Sequence, residues 1–181
     1  MSFLNLGHRN NLHRVLDDIL SPPAVIFMSV RNVVVGIVYT KVGNEIKFLV
    51  LHRVWLWEGW EFPKGGLEKT DKTEESALLR ELKEETGLVK VRIIEKLPYK
   101  IQYKYTKKYS EKYKDSETIQ SVFLVRAFES GVSMPMIAGV KEHDDFRWLP
   151  YEDARKLLTH ANQKKALDEA WKHLKGIEKI A

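Results

Sequence analysis

The sequence predicts a mixed α/β fold made as one domain, on three observations. Its 181 residues correspond to about one unit at the ~150 residues usual for a domain. Segments of strand length rich in Val, Ile and Phe alternate with segments whose apolar residues recur at helical spacing. Gly, Pro and Asn breakers fall between them, with no internal repeat and no low-complexity linker.

Asn10 to Leu20 places Leu12, Val15, Leu16, Ile19 and Leu20 at helical spacing and ends at Pro22 and Pro23, which reads as a leading helix. Ala24 to Ser29, Val33 to Thr40 and Glu45 to Arg53 read as strands, with Arg31-Asn32 and Gly43-Asn44 supplying the turns. A loop rich in Trp, Pro and Gly runs from Val54 to Asp71. Thr73 to Thr86 is helical, with Thr73 as N-cap, Ala77, Leu78 and Leu82 on the apolar stripe, and Gly87 as the stop. Val91 to Tyr105 and Thr118 to Phe128 form a long hairpin, and Phe146 to Leu149 a last short strand. Two helices close the chain, one from Pro150 to about Leu158 and one from an Asn162 cap to Gly176.

Hydrophobic residues make up 44% and charged residues 30% of the chain, which suits a packed core under a solvated surface and excludes a disordered or fibrous protein. The longest apolar stretches, Ala24 to Met28 and Val33 to Tyr39, fall far short of the ~20 residues of a membrane-spanning helix. Asp17 and Asp18 stand where a secretory leader would need its apolar stretch, so cytoplasmic residence is expected. With no cysteine, a metal must be held by oxygen or imidazole. The formal charge of +5 favours an anionic partner without demanding nucleic acid.

The chemistry concentrates in Arg80-Glu81-Leu82-Lys83-Glu84-Glu85-Thr86-Gly87-Leu88. On a helix, Glu81, Glu84 and Glu85 project within about 100° of one another. Like charges at this spacing destabilise a helix by a few tenths of a kcal/mol per pair. A solvated acidic face is the plain reading of such a run, but a divalent cation removes the repulsion, and hard cations such as Mg²⁺ take oxygen ligands beside substrate phosphates. Arg80 can pair with Glu84 one turn on. Upstream, Trp60-Glu61-Phe62-Pro63-Lys64-Gly65-Gly66 offers two glycines for close backbone approach and a lysine for an anion.

Together the loop and helix resemble the Nudix box: Gly, five residues, Glu, seven residues, then Arg-Glu-aliphatic-x-Glu-Glu-x-Gly-aliphatic. The match runs from Gly66 through Arg80, Glu81, Leu82, Glu84, Glu85 and Gly87 to Leu88, and departs at Lys72, where the pattern has its first Glu; Asp71 and Glu74 stand nearby. The resemblance implies an α/β/α Nudix sandwich with a mixed sheet and two C-terminal helices over residues 23–181, preceded by a helical extension, residues 1–22. It also implies Mg²⁺- or Mn²⁺-dependent hydrolysis of a nucleoside diphosphate linked to another group, with Glu81, Glu84 and Glu85 as metal ligands and catalytic residues, and Arg80 beside them.

Glu142-His143-Asp144-Asp145-Phe146-Arg147-Trp148-Leu149, with the Trp60 to Gly65 run, is similar to the asymmetrical diadenosine tetraphosphate hydrolase branch. By that resemblance Glu142 is a further metal-binding or base carboxylate, and Lys64, Gly65 and Gly66 contact phosphate. The substrate expected first is a dinucleoside polyphosphate. The alternatives are the 5′ end of RNA, because RNA pyrophosphohydrolases share a Trp-x-Phe-Pro-x-Gly-Gly loop, and a non-catalytic nucleotide-sensing scaffold. Arg53, at a strand end just before the loop, is a phosphate candidate. The Tyr-Lys run from Tyr99 to Lys114 reads either as a solvent-facing hairpin or as a nucleic-acid surface, with Lys104 or Tyr105 at the pocket rim. His143 and the tryptophans Trp55 and Trp57 carry smaller weight.

Overall fold

The computed structural model describes residues 29–104, 115–136 and 139–178. The expected leading helix and extension 1–22, nearly all of the strand from Ala24, and the hairpin tip with Tyr105 lie outside the described residues. Within them, β1 (Ser29–Val42), β2 (Glu45–Arg53), β3 (Gly59–Glu61), β4 (Lys64–Gly66), β5 (Val91–Lys104), β6 (Asp115–Ala127) and β7 (His143–Leu149) form a mixed sheet. Helices α1 (Glu74–Thr86), α2 (Tyr151–Leu157) and α3 (Ala161–Glu178) cover it.

Alternation along the strands sorts the core into two layers. Val33, Val35, Ile37 and Tyr39 of β1, with Phe48 and Val50 of β2 and Val122 and Leu124 of β6, pack against Ala154, Leu167, Ala170 and Leu174 of α2 and α3. Their neighbours Val34, Val38, Leu49, Leu51, Phe123 and Val125 pack against Ala77, Leu78 and Leu82 of α1. The result is the α/β/α sandwich that the resemblance implied. Gly36 interrupts the β1 pattern where α1 comes nearest; a Cβ there would stand 3.2 Å from Leu78 and 3.3 Å from Leu82. Among the described residues no helix is long and apolar enough to cross a membrane.

The α1 boundaries follow from local chemistry. Thr73 Oγ1 accepts the Ser76 amide at 3.1 Å, and Ser76 Oγ accepts the Thr73 amide at 3.1 Å, a reciprocal cap typically worth about 1 kcal/mol. At the other end Gly87 sits at φ 70° and donates its N–H to Lys83 O at 3.0 Å, a left-handed stop that a side chain would strain.

Three expectations are corrected. Arg31 and Asn32 make no turn: β1 runs through them because β6 pairs with it in parallel, Arg31 opposite Thr118 and Asn32 opposite Ile119, and this ladder outweighs local turn preference. The loop after Arg53 contains β3 and β4. Asn162 lies inside the first turn of α3, where the His160 carbonyl accepts the amides of Gln163 and Lys164, and Gly176 leaves the helix intact to Glu178.

The parting of two long strands creates the site. β1 pairs with β2 only through Tyr39–Val42, and its earlier part, Val33–Val35, pairs with β4, while β2 pairs with β3 through Leu51–Arg53. The segment from Gly59 to Gly66 therefore fills the gap between them, beside α1. The Gly36 amide donates to Pro63 O at 2.9 Å and closes the join.

Candidate active site

Arg80 organises the acidic face of α1. Its Nη1 donates to Glu81 Oε1 at 2.8 Å and to Glu84 Oε2 at 3.0 Å, and its Nη2 donates to the Gly66 carbonyl at 2.9 Å. The rest of the guanidinium forks onto Asp71, Nε to Oδ1 at 3.2 Å and Nη2 to Oδ2 at 2.8 Å. Asp71 thus gives Arg80 a bidentate carboxylate one residue before Lys72, the position where the box has its glutamate. The Arg80 hydrogen bonds hold Asp71 below the ordinary carboxylate range, and the Asp71 hydrogen bonds, joined by those to Glu81 and Glu84, raise Arg80 further.

A second cluster lies behind the phosphate loop. Glu61, fully buried at the end of β3, accepts from Arg53 Nη1 at 2.8 Å, pairs with Lys64 Nζ, and lies 3.3 Å from His143 Nε2. Burial opposes its ionisation, but Lys64, the His143 hydrogen bond and Arg53 together hold it far below the carboxylate range. Arg53 reaches onward to Glu142 at 2.5 Å and is itself raised: burial works against the charge, and Glu61 and Glu142 more than offset it. Arg53 Nε also holds the Trp55 carbonyl at 2.9 Å, fixing a turn in which Leu56 adopts φ 68°.

Glu85 joins the two clusters. It is buried and accepts the Lys64 amide at 2.9 Å. Burial, reinforced by the charges of Glu61 and Glu142, pushes its carboxyl well above the ordinary range against the opposing pull of Lys64. Glu81 is raised too, chiefly by burial. Its carboxylate lies so close to Gly65 that a Cβ there would fall 1.8 Å from the carboxyl carbon, so any side chain at 65 would push the Glu81 carboxylate out of its place. Gly66 meets no comparable contact.

These groups open on a cleft of about 640 Å³. Of the residues singled out from sequence, Arg53, Lys64, Gly65, Gly66, Glu81, Glu85 and Glu142 line it, beneath Trp55 and Trp57. Arg80 stands behind the cleft as a clamp, and Glu84, with 40% of its side chain exposed, is turned to Arg80. Lys104 is exposed and is not among the lining residues; strand alternation brings Tyr103 and, from β6, Gln120 to the cleft instead. Sequence reasoning gave no role to Glu61 or Gln120, named Asp71 only as standing near Lys72, and took Tyr103 only as part of the Tyr-Lys run. For Glu61 the available signal was a lone charge between Trp60 and Phe62 in a strand-like stretch.

The donor set suits a hard divalent cation. Glu81, Glu85 and Glu142 present carboxylate oxygens to one cleft, and the raised Glu81 and Glu85 are acids crowded and buried without sufficient counter-charge, which such an ion would supply. Donor atoms of Glu61, Glu142 and His143 also come within 4.8 Å of one another. Both Glu61 oxygens are engaged by cations, however, so Glu61 serves as the internal counter-charge of Arg53 and Lys64.

A mixed sheet between helices, with a glycine loop held against a helix bearing Arg-Glu-x-x-Glu-Glu, defines a Nudix hydrolase. The chain belongs to that family: the NUDIX domain model matches residues 30–170, and the enzyme is a hydrolase of pyrophosphate bonds. It is 32% identical over 124 residues to an RNA pyrophosphohydrolase of a Nitratiruptor species, covering 67% of this chain and 78% of the relative. It is 31% identical over 135 residues to that of a Sulfurovum species, covering 74% and 85%. In fold it is similar to an Ap4A hydrolase from C. elegans (TM-score 0.65, 23% identity, 81% of this chain and 98% of that one). It is also similar to the NUDIX domain of Shewanella oneidensis NrtR (TM-score 0.63, 14% identity, 88% and 97%).

Proposed function

We propose that this chain removes pyrophosphate from the triphosphorylated 5′ end of RNA, with Mg²⁺ or Mn²⁺ held by Glu81, Glu85 and Glu142. The observation that carries the hydrolytic site is the meeting, in one cleft, of these three carboxylates with the Lys64–Gly66 loop. The choice of RNA is supported by relatives named RNA pyrophosphohydrolases. It agrees with the cytoplasmic residence expected from the sequence.

When bound, the cation supplies charge neutralisation for the phosphate oxygens and for the charge that develops on the leaving group. The protein does the rest. The Lys64 amide and the Arg80 clamp fix Glu85 and Glu81, so the site is set before substrate arrives. Glu142 is tied to Arg53 through Oε1, which holds its carboxylate at the cleft, where it would orient the attacking water beside the cation. Water adds to phosphorus as the anhydride oxygen leaves with the bonding pair.

A dinucleoside polyphosphate is the second reading, favoured by the Glu142 to Leu149 segment, which supplies β7 and the cleft carboxylate together. Triphosphorylated RNA, diadenosine tetraphosphate, ADP-ribose and ATP offered in parallel with Mg²⁺ would rank these substrates. Preference for RNA supports the first reading. Turnover of diadenosine tetraphosphate to ATP and AMP, with RNA uncut, supports the second. Wild-type rates in Glu85→Gln would defeat the assigned site.

A further inference from the structure

We propose that Gln163, a buried residue of α3, is a positioning residue for the phosphate loop: by holding the Phe62 amide it sets where the Lys64 amide meets Glu85. The proposal rests on the hydrolytic reading argued above and adds to it a residue far outside the box on which the reaction depends.

β3 ends its side of the sheet and pairs with β2 through Gly59, Trp60 and Glu61. Its remaining backbone contacts go to the end of α2 and the start of α3. The Trp60 amide donates to Thr159 Oγ1 at 2.8 Å, and the Thr159 amide donates back to the Trp60 carbonyl at 3.0 Å. Next along the segment, the Phe62 amide donates to Gln163 Oε1 at 3.0 Å. Beyond Pro63, the Lys64 amide donates to Glu85 Oε2 at 2.9 Å. Alternate amides of one short segment are thus held in turn by Thr159, Gln163 and Glu85.

The link between the last two is stiff. Only Pro63 stands between Phe62 and Lys64; its ring fixes φ, and its carbonyl accepts the Gly36 amide of β1 at 2.9 Å. With that carbonyl pinned, the segment can only pivot about it, so a shift at Phe62 is returned at Lys64. The Phe62 ring is fully buried in the core layer that contains Leu158, Ala166 and Leu167. Such burial is non-directional: it keeps the residue in the core without orienting its N–H. Gln163 supplies the direction. At 3% exposed, its amide would be costly to bury without a partner, and it lines a pocket of about 190 Å³ together with Glu61 and Lys64. Asp168, further along the same helix, bonds instead to Tyr151 and Arg155 of α2, which makes it the control for a loosened helix that leaves the loop untouched.

Amide hydrogen exchange followed by NMR reads the positioning without turnover. Phe62 and Lys64 should both be protected in the wild type. Gln163→Met, which keeps length and removes the acceptor, should speed exchange about tenfold at Phe62 and also at Lys64. Asp168→Asn should leave both protected. In turnover, measured well below the melting midpoint, Gln163→Met should lower kcat about tenfold and change KM by less than about twofold, while Asp168→Asn keeps the wild-type kcat. Should Gln163→Met not fold, Gln163→Asn, which draws the amide back by one methylene, carries the same expectations. Exchange quickened at Phe62 alone, a wild-type kcat, or a kcat loss that Asp168→Asn shares overturns the proposal. If the wild type hydrolyses none of the pyrophosphate substrates while Lys64 exchange responds as stated, the hydrolytic reading fails and the positioning stands.

Discussion

Glu61→Gln tests whether the buried charge cluster is organised as described. The substitution keeps size and one acceptor oxygen but removes the negative charge that faces Arg53, Lys64 and His143. Glu61 is fully buried and the Arg53 side chain is 8% exposed, so solvent screens little of the loss. Breaking a buried pair by removing one partner costs about 3–5 kcal/mol, and the retained acceptor argues for the low end. At ~2–4 °C per kcal/mol for a chain of this size, the midpoint should fall by roughly 6–12 °C. Calorimetry at pH 7 measures it. Arg53→Gln and the double variant complete the cycle: with both partners gone the loss should be less than the sum by roughly 1–3 kcal/mol, because Arg53 is no longer left facing a neutral amide. A midpoint shift below about 2 °C, or strict additivity, would refute the account of Glu61 as internal counter-charge.

Further outcomes follow from the same geometry. Glu85→Gln should lower kcat/KM by roughly 100-fold or more in a steady-state assay, and chelation with EDTA should abolish turnover until Mg²⁺ or Mn²⁺ is restored. Gly65→Ala should displace the Glu81 carboxylate, so activity should collapse while circular dichroism stays native. Lys72→Glu should change kcat/KM by less than about twofold, since Asp71 already occupies the Arg80 fork; a large gain would show that the fork is incomplete. Burial works against the Asp168 charge, but Arg155 and Tyr151 hydrogen bonds lower its pKa. Its stabilisation is therefore present above the unfolded carboxylate value and is lost as pH falls through the lowered folded one. Asp168→Asn should melt below the wild type at pH 7, with the two curves converging in acid.

What could be read beforehand was what local chemistry determines. The helix Glu74–Thr86 was legible because Thr73 and Gly87 set its ends, and the strand cores because apolar side chains run along them. Arg31-Asn32 misled because the turn preference of two residues yields to a parallel ladder whose other strand lies some ninety positions away in the chain. Glu61 could not be weighed because its role comes from Arg53, Lys64 and His143 converging on one buried carboxylate, and no periodicity records that. Lys104 was named for the pocket rim although the strand turns Tyr103 to the cleft, since a shift of one residue along a strand exchanges the two faces.

The seating of Gly65 against Glu81 limits how such an enzyme can be retargeted. Loop and helix are interlocked there, so substitutions that shift either would wreck bond cleavage before altering preference. Variation that survives should gather at the outer wall formed by β5, β6 and the start of β1. A library confined to that wall offers new specificities at little cost in turnover, while one spread over the box returns mostly inactive clones.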